Sequence, residues 1–230
     1  MNTIDITIFD KADNSRIEYS LTGSQFNEPL QTLLELAESP DVFRKRAGNY
    51  RLVLTETQNQ RLITYLASKK FKLENFGNPQ NAQFLLALSF GEGPVVNNDL
   101  SDIVERINKK HPSLIIAAQR EIADTLINHN PGLEHSVHRI ERDHGKEYIT
   151  TIEVVEKFMG NIIVAKKLID KPKVFIIAQA WHAPRCIHIC EAKGLDVVGG
   201  AFSELFSPND SQSWVRDAFH WALKEGTTSS

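Results

Sequence analysis

The chain has 230 residues, 41% hydrophobic and 24% charged, with 26 basic against 29 acidic side chains and a net charge of −3. That length gives one large or two small globular domains, and the composition excludes collagen-like, disordered and disulfide-framework classes. A near-balanced charge leaves no electrostatic footprint for nucleic acid, so none is expected as a partner.

The two cysteines, Cys186 and Cys190, fall four residues apart in one expected helix, which suits a reduced, cytoplasmic chain rather than a secreted one. The start, Met1-Asn2-Thr3-Ile4-Asp5, lacks the basic and apolar regions of an export signal. No apolar stretch approaches the roughly 18 to 20 residues that cross a bilayer, so no membrane span is expected.

In chain order, residues 3–9 alternate polar and apolar, residues 10–15 supply turn formers, and residues 16–21 form a second run. The pattern predicts a hairpin. Pro29, Leu30, Leu33, Leu34 and Ala37 recur at helical spacing, followed by a short strand over 50–54 and a helix over about 57–69. Residues 74–81 are rich in turn formers and are the best candidate for a linker. Beyond residue 82, apolar runs at 84–88, 114–118, 136–140, 174–178 and 196–198 alternate with helix-like stretches. Near-continuous apolar strands are what a parallel sheet covered on both faces requires. The expected fold class is therefore α/β. It comprises a Rossmann-like, doubly wound, mainly parallel sheet with helices on both faces over residues 82–225, a small N-terminal α+β module over 1–80, and a polar tail over 226–230. Trp214, Phe219 and Trp221, with Val215, Ala218 and Ala222 at helical spacing, are expected to anchor the last helix in a core.

In open parallel sheets ligands bind beyond the carboxyl ends of the strands, where helix N-termini converge. Past the expected strand ends lie Gly91, Glu92 and Gly93, then Gln119 and Glu121, then Gln179, Trp181, His182 and Arg185. A cation in a helix's first turn opposes the macrodipole, so Arg185 is best explained by a shared anion. Thr150 and Glu153 fit a capping box, and a threonine at a helix start, Thr150 or Thr151, can also hydrogen-bond a ligand. Glu121 either complements its helix dipole, neutralises Arg185 or accepts from a ribose hydroxyl. Neither a P-loop nor a nucleophile elbow occurs. His182, Cys186 and Cys190 stand at intervals of four, but on a helix the outer two are about 12 Å apart, too far to share zinc. No metal site is expected.

The run 173–185, Lys-Val-Phe-Ile-Ile-Ala-Gln-Ala-Trp-His-Ala-Pro-Arg, closing in Gly194-Leu195-Asp196-Val197, resembles the hallmark segment of the YdcF/SanA/ElyC-like bacterial proteins. Glu121-Ile122-Ala123 is similar to that family's Glu-x-Ala step, and residues 148–153 to its Thr-x-x-Glu helix start. The resemblance spans about residues 82–225. It implies a Rossmann-like fold of largely unassigned activity and, from one member reported to bind it, an S-adenosylmethionine-like or nucleotide-like ligand. Asn97 and Asn98 stand where the family commonly carries an arginine.

The expected function is small-molecule binding, with an enzymatic reaction left open. The 91–93 loop, Gln119, Gln179 and Trp181 would contact the ligand, Glu121, Thr150 and Thr151 position it, and Arg185 hold an anionic group. His182 is the candidate acid or base, because an imidazole with an ordinary pKa of about 6.5 exchanges protons near neutrality. The alternative is a non-catalytic interaction protein that works through its N-terminal module. Self-association stays open.

Overall fold

The computed structural model describes residues 3–9, 16–22, 52–53, 56–68, 70–146, 148–163 and 171–227. In chain order its strands and helices are β1 (Thr3–Phe9), β2 (Arg16–Thr22), β3 (Leu52–Val53), α1 (Glu56–Ser68), β4 (Phe76–Gly77), β5 (Phe84–Ala87), α2 (Pro94–Lys110), β6 (Ile115–Gln119), α3 (Arg120–His129), β7 (Val137–Ile140), α4 (Thr151–Lys157), β8 (Lys173–Gln179), α5 (Ala183–Ala192), β9 (Asp196–Ser203) and α6 (Ala218–Thr227). The helix expected around residues 29–37 lies outside the described residues. Two compact units emerge, Met1–Phe71 with Gln212–Ser230 and Lys72–Ser211.

In the first unit β1 and β2 pair antiparallel from Thr3 against Thr22 to Phe9 against Arg16. β3 adds to β2 in parallel. Helix α1 buries Leu62 and Leu66, one turn apart, and packs against α6, which buries Ala218, Phe219, Trp221, Ala222 and Leu223. The C-terminal residues expected in the larger domain thus group with the N-terminal segment. Gly226, expected in a polar tail, is inside α6 and buried, and a Cβ there would meet Leu62 Cδ1 at 2.6 Å.

The second unit is an α/β structure around a six-stranded mixed sheet in the order β4-β9-β8-β5-β6-β7. All neighbours from β9 to β7 pair in parallel, and only β4 is antiparallel. Strand β5 sits between β8 and β6, and all four of its residues are 0% exposed. Successive side chains of a strand point to opposite faces, so complete burial requires both faces to be covered. Phe84 and Leu86 join a core with Val154 and Val155 of α4 and Cys186 and Cys190 of α5. Leu85 and Ala87 face the other way, toward the layer of α2 and α3, which pack on each other and on the sheet.

Two of the crossover helices, α2 and α4, begin on residues suited to a helix start. Gly93 is the N-cap of α2 with Pro94 in the first turn, and Lys109 and Lys110 complement its dipole at the other end. The capping box of Thr150 and Glu153 starts α4. The Lys146 ammonium first, and the Thr150 backbone N–H of the box second, draw the Glu153 carboxyl down to about 2.

The segment expected to be a linker is instead the sheet's edge. Phe76 pairs with Gly200 and Gly77 with Gly199. That approach has no room for side chains: a Cβ on Gly199 would lie 2.6 Å from the Phe76 carbonyl oxygen and 2.7 Å from Phe175 Cε2. The same glycines conceal the length of β9, which continues to Ser203 rather than ending near residue 198, since glycine weakens a strand signature while permitting close approach. Gly199→Ala is expected to destabilise the fold by about 1–3 kcal/mol through overpacking. Gly160→Ala, where nothing lies within 4 Å of the added atom, is the near-neutral control. Urea midpoints of the two variants check this, and equal midpoints would refute the close approach.

Candidate functional site

Counting only the parallel strands in chain order, the sheet runs third, second, first, fourth, fifth. The connections leave the first strand, β5, on one side and return to it on the other. Their loops therefore diverge at its carboxyl end, where a crevice opens.

The loop beyond β5 is fixed by side chains from three parts of the chain. Gly91 adopts φ 74°, a left-handed conformation that favours glycine. Buried Asn97, from the first turns of α2, accepts from the Phe90 N–H at 3.2 Å and donates to the Gly91 and Gly93 carbonyls at 3.1 and 2.9 Å. Gln119 at the end of β6 accepts from the Ser89 N–H at 2.9 Å. Asp210, beyond β9, accepts from the Gly93 N–H at 2.6 Å.

The turn from β8 into α5 is held in a similar way. Gln179 Oε1 accepts from the Trp181 and His182 N–H groups at 2.6 and 3.2 Å, and its Nε2 donates to the Leu205 carbonyl at 3.2 Å. His182 Nε2 lies 3.1 Å from Thr151 Oγ1. The Phe90 ring links the two loops, with its centroid 5.9 Å from both the His182 and Phe206 rings. Trp181 stands 6.1 Å from Phe206. His182 thus lies beside Phe90 of the glycine loop.

Between the first turns of α2 and α3 lies a cleft of ≈ 360 Å³, within the size range of small-molecule sites. Gly93, Pro94 and Asn97 line it from one helix and Arg120, Glu121 and Asp124 from the other, with Glu92 and Arg139 also contributing. Glu121 Oε1 takes a hydrogen bond from Arg120 Nη2 at 3.0 Å, while its Oε2 is buried with no hydrogen-bond partner among the described residues. Arg139 pairs with Asp124 and Glu141 at 2.8 and 2.9 Å, and Arg142 with Glu92 at 3.2 Å.

The expected site residues therefore fall into two groups. Glu92, Gly93 and Glu121 line the cleft, and Gly91 shapes the loop that forms its wall. Gln119, Thr150, Thr151, Gln179, Trp181, His182 and Arg185 do not line it. Among these, the side-chain oxygens of Gln119 and Gln179 accept from loop N–H groups, and Thr150 closes the α4 capping box. Arg185 lies close enough to His182 to act on its charge.

That charge differs from the expectation. Burial, and secondarily the Arg185 guanidinium, push the His182 imidazole down to about 3. The ring is held neutral at physiological pH, where it accepts or donates a hydrogen bond but has no extra proton to deliver. The cysteines behind it are core residues, and burial followed by Glu191 pushes the Cys190 thiol up to about 12. Asn97 and Asp210 hold the loop without having been expected there. The turn-forming run Ser207-Pro208-Asn209-Asp210 is the signal that marks Asp210 as a loop residue. Comparison of the chain with protein-family models, with curated proteins and with solved structures finds no match in any of the three.

A buried neutral imidazole makes stability depend on pH. Above about pH 6.5 the ring is neutral in both the folded and unfolded chain; below that value only the unfolded chain takes up the proton, until the pH nears 3. Stability contributed by His182 is therefore complete above about 6.5 and falls by about 1.4 kcal/mol per pH unit on acidification. Urea unfolding across this window should show a steeper loss for the wild type than for His182→Gln. Parallel slopes would contradict a buried neutral ring.

Proposed function

We propose that residues 72–211 form a Rossmann-like, doubly wound domain that binds a nucleoside-bearing small molecule, nucleotide-like or S-adenosylmethionine-like, beyond the carboxyl ends of β5 and β6. The observation that carries the reading is Glu121. Glu121 lines the α2–α3 cleft, its buried Oε2 has no hydrogen-bond partner among the described residues, and a buried acceptor left unspent costs stability unless something completes it. An acidic group just past the second parallel strand is where dinucleotide-binding folds accept from a ribose hydroxyl. The strand order and the preformed glycine loop support the same reading.

Under this proposal the resemblance to the YdcF/SanA/ElyC-like proteins extends to the ligand class, and the chain is a bacterial cytoplasmic protein. Among the described residues, no helix is long and apolar enough to cross a membrane. Binding is the activity that the geometry supports. His182 orders the β8–α5 turn against Thr151 as a neutral hydrogen-bonding group, and methyl transfer does not follow from binding a methyl donor.

Thermal unfolding of the full chain with S-adenosylmethionine, adenosine, nucleotides and sugar phosphates tests the reading. A ligand at 100 times its Kd adds about 2.7 kcal/mol of stability. Glu121→Gln, which leaves the cleft's shape intact, should weaken an adenosyl ligand about tenfold or more, the worth of one hydrogen bond to a charged group. If no adenosyl compound shifts the wild type, the interaction-protein alternative takes the place of this reading.

A further inference from the structure

Two arginines line the α2–α3 cleft, Arg120 and Arg139, and they use their N–H groups differently. Arg139 is taken up by carboxylates: its Nη2 lies 2.8 and 3.0 Å from the two oxygens of Asp124, and its Nε 2.9 Å from Glu141 Oε1. Arg120, the first residue of α3, makes a single hydrogen bond among the described residues, from Nη2 to Glu121 Oε1 at 3.0 Å. A guanidinium carries several N–H donors in a fixed fork, so most of those of Arg120 are uncommitted.

Arg120 and Glu121 thus bring uncommitted donors together with an uncommitted acceptor, Glu121 Oε2, in residues that line the same cleft. The two side chains are 32% and 17% exposed, and a hydrogen bond to a charged group gains strength where water is partly excluded. A turn about the glutamate's broad terminal torsion presents either carboxylate oxygen to an entering group without moving the helix. Because the two charges already balance each other, the group that completes the pair is neutral and both gives and takes a hydrogen bond at adjacent atoms. Neighbouring hydroxyls do this, each being donor and acceptor at once. One donates to the carboxylate and the next accepts from the guanidinium. A ligand carboxylate supplies acceptors only, and an ammonium donors only. An adenine edge also offers one of each, but an acid just past the second parallel strand is where the sugar is met.

We propose that Arg120 is a specificity-determining residue: with Glu121 it reads the vicinal diol of a ribose, so that the cleft takes ribonucleosides and rejects their 2′- and 3′-deoxy counterparts. The proposal rests on the nucleoside reading and narrows it. A site built to hydrogen-bond a hydroxyl rejects the analogue that lacks it, because the site's own polar groups are then left unpaired. A cation in a helix's first turn opposes the macrodipole; the adjacent Glu121 carboxylate offsets that cost through one N–H and leaves the rest of the fork for the ligand.

Isothermal titration of the full chain with adenosine, 2′-deoxyadenosine and 3′-deoxyadenosine tests this. The wild type should bind adenosine about tenfold or more tighter than either deoxy compound, one hydrogen bond to a charged group being worth at least that factor. Arg120→Met keeps an unbranched stem but removes every donor, so it should weaken adenosine about tenfold and erase the preference at one of the two hydroxyls. Glu121→Gln should narrow the preference at the other. If Arg120→Met does not fold because Glu121 has lost its counter-charge, the double variant Arg120→Met with Glu121→Gln decides, and it should lose most of the preference at both hydroxyls. Deoxy compounds that bind as tightly as adenosine, or a preference unmoved by removal of the arginine's donors, overturn this inference and leave the nucleoside reading standing. So does a chain that holds S-adenosylmethionine or a nucleotide but not adenosine, since the diol is common to all of them. Failure of every adenosyl compound to bind overturns the inference and the reading together.

Discussion

A four-residue strand with no exposed surface, paired in parallel along both edges, is the constraint from which the second unit follows. Because both edges of β5 are taken by parallel partners, the chain must leave on one side and return on the other, each time through a crossover long enough to hold a helix. Because both faces are buried, the helices must be shared between two layers. The end of such a strand is then the one place where neighbouring connections diverge, and side chains from several elements reach it. Asn97, Gln119 and Asp210 come from three parts of the chain, and each accepts from an N–H of the same five-residue loop.

That loop also sets the electrostatics. Two helices start beside it, each with a positive dipole end, and carboxylates near them include Asp210 at α2 and Glu121 in the first turn of α3. Both helix starts are thus supplied with negative charge by the protein itself. The third group expected to act there, His182, is neutral because burial opposes its charged form and Arg185 adds to that opposition. A neutral ring fits its aromatic neighbour Phe90, which in turn packs against Phe206.

The parallel strands are legible in the sequence because burial on both faces leaves an unbroken apolar run, as in 84–88 and 174–178. Helix starts are legible where local chemistry sets them, as with Pro94 and the Thr150–Glu153 box. What escapes is decided by partners far away in the chain. Residues 76–77 read as linker, and only Gly199 and Gly200 make them a strand. Position alone brings Gly91, Gln119, Gln179 and His182 to strand ends, but position does not say how each side chain spends its hydrogen bonds. Gln179 satisfies its own turn, and Asp210 holds a loop 117 residues earlier. The imidazole's ordinary pKa was a property of the isolated residue, and the packed ring has another.

The distribution of spent and unspent hydrogen-bonding capacity separates scaffold from site more sharply than residue type does. Asn97 uses its oxygen and its amide nitrogen within one loop, and Gln179 uses both ends on backbone groups. An incoming ligand could compete for these groups only by dismantling the turn that positions it. Glu121 Oε2 and Ser207 Oγ are buried, polar and unmatched among the described residues, and in a folded protein such atoms are a small minority that calls for a physical reason. One is carried by α3 and the other by the segment after β9. Each marks a place where the fold leaves a hydrogen bond unmade, whereas the scaffold groups have none to give without loss of the turn they hold.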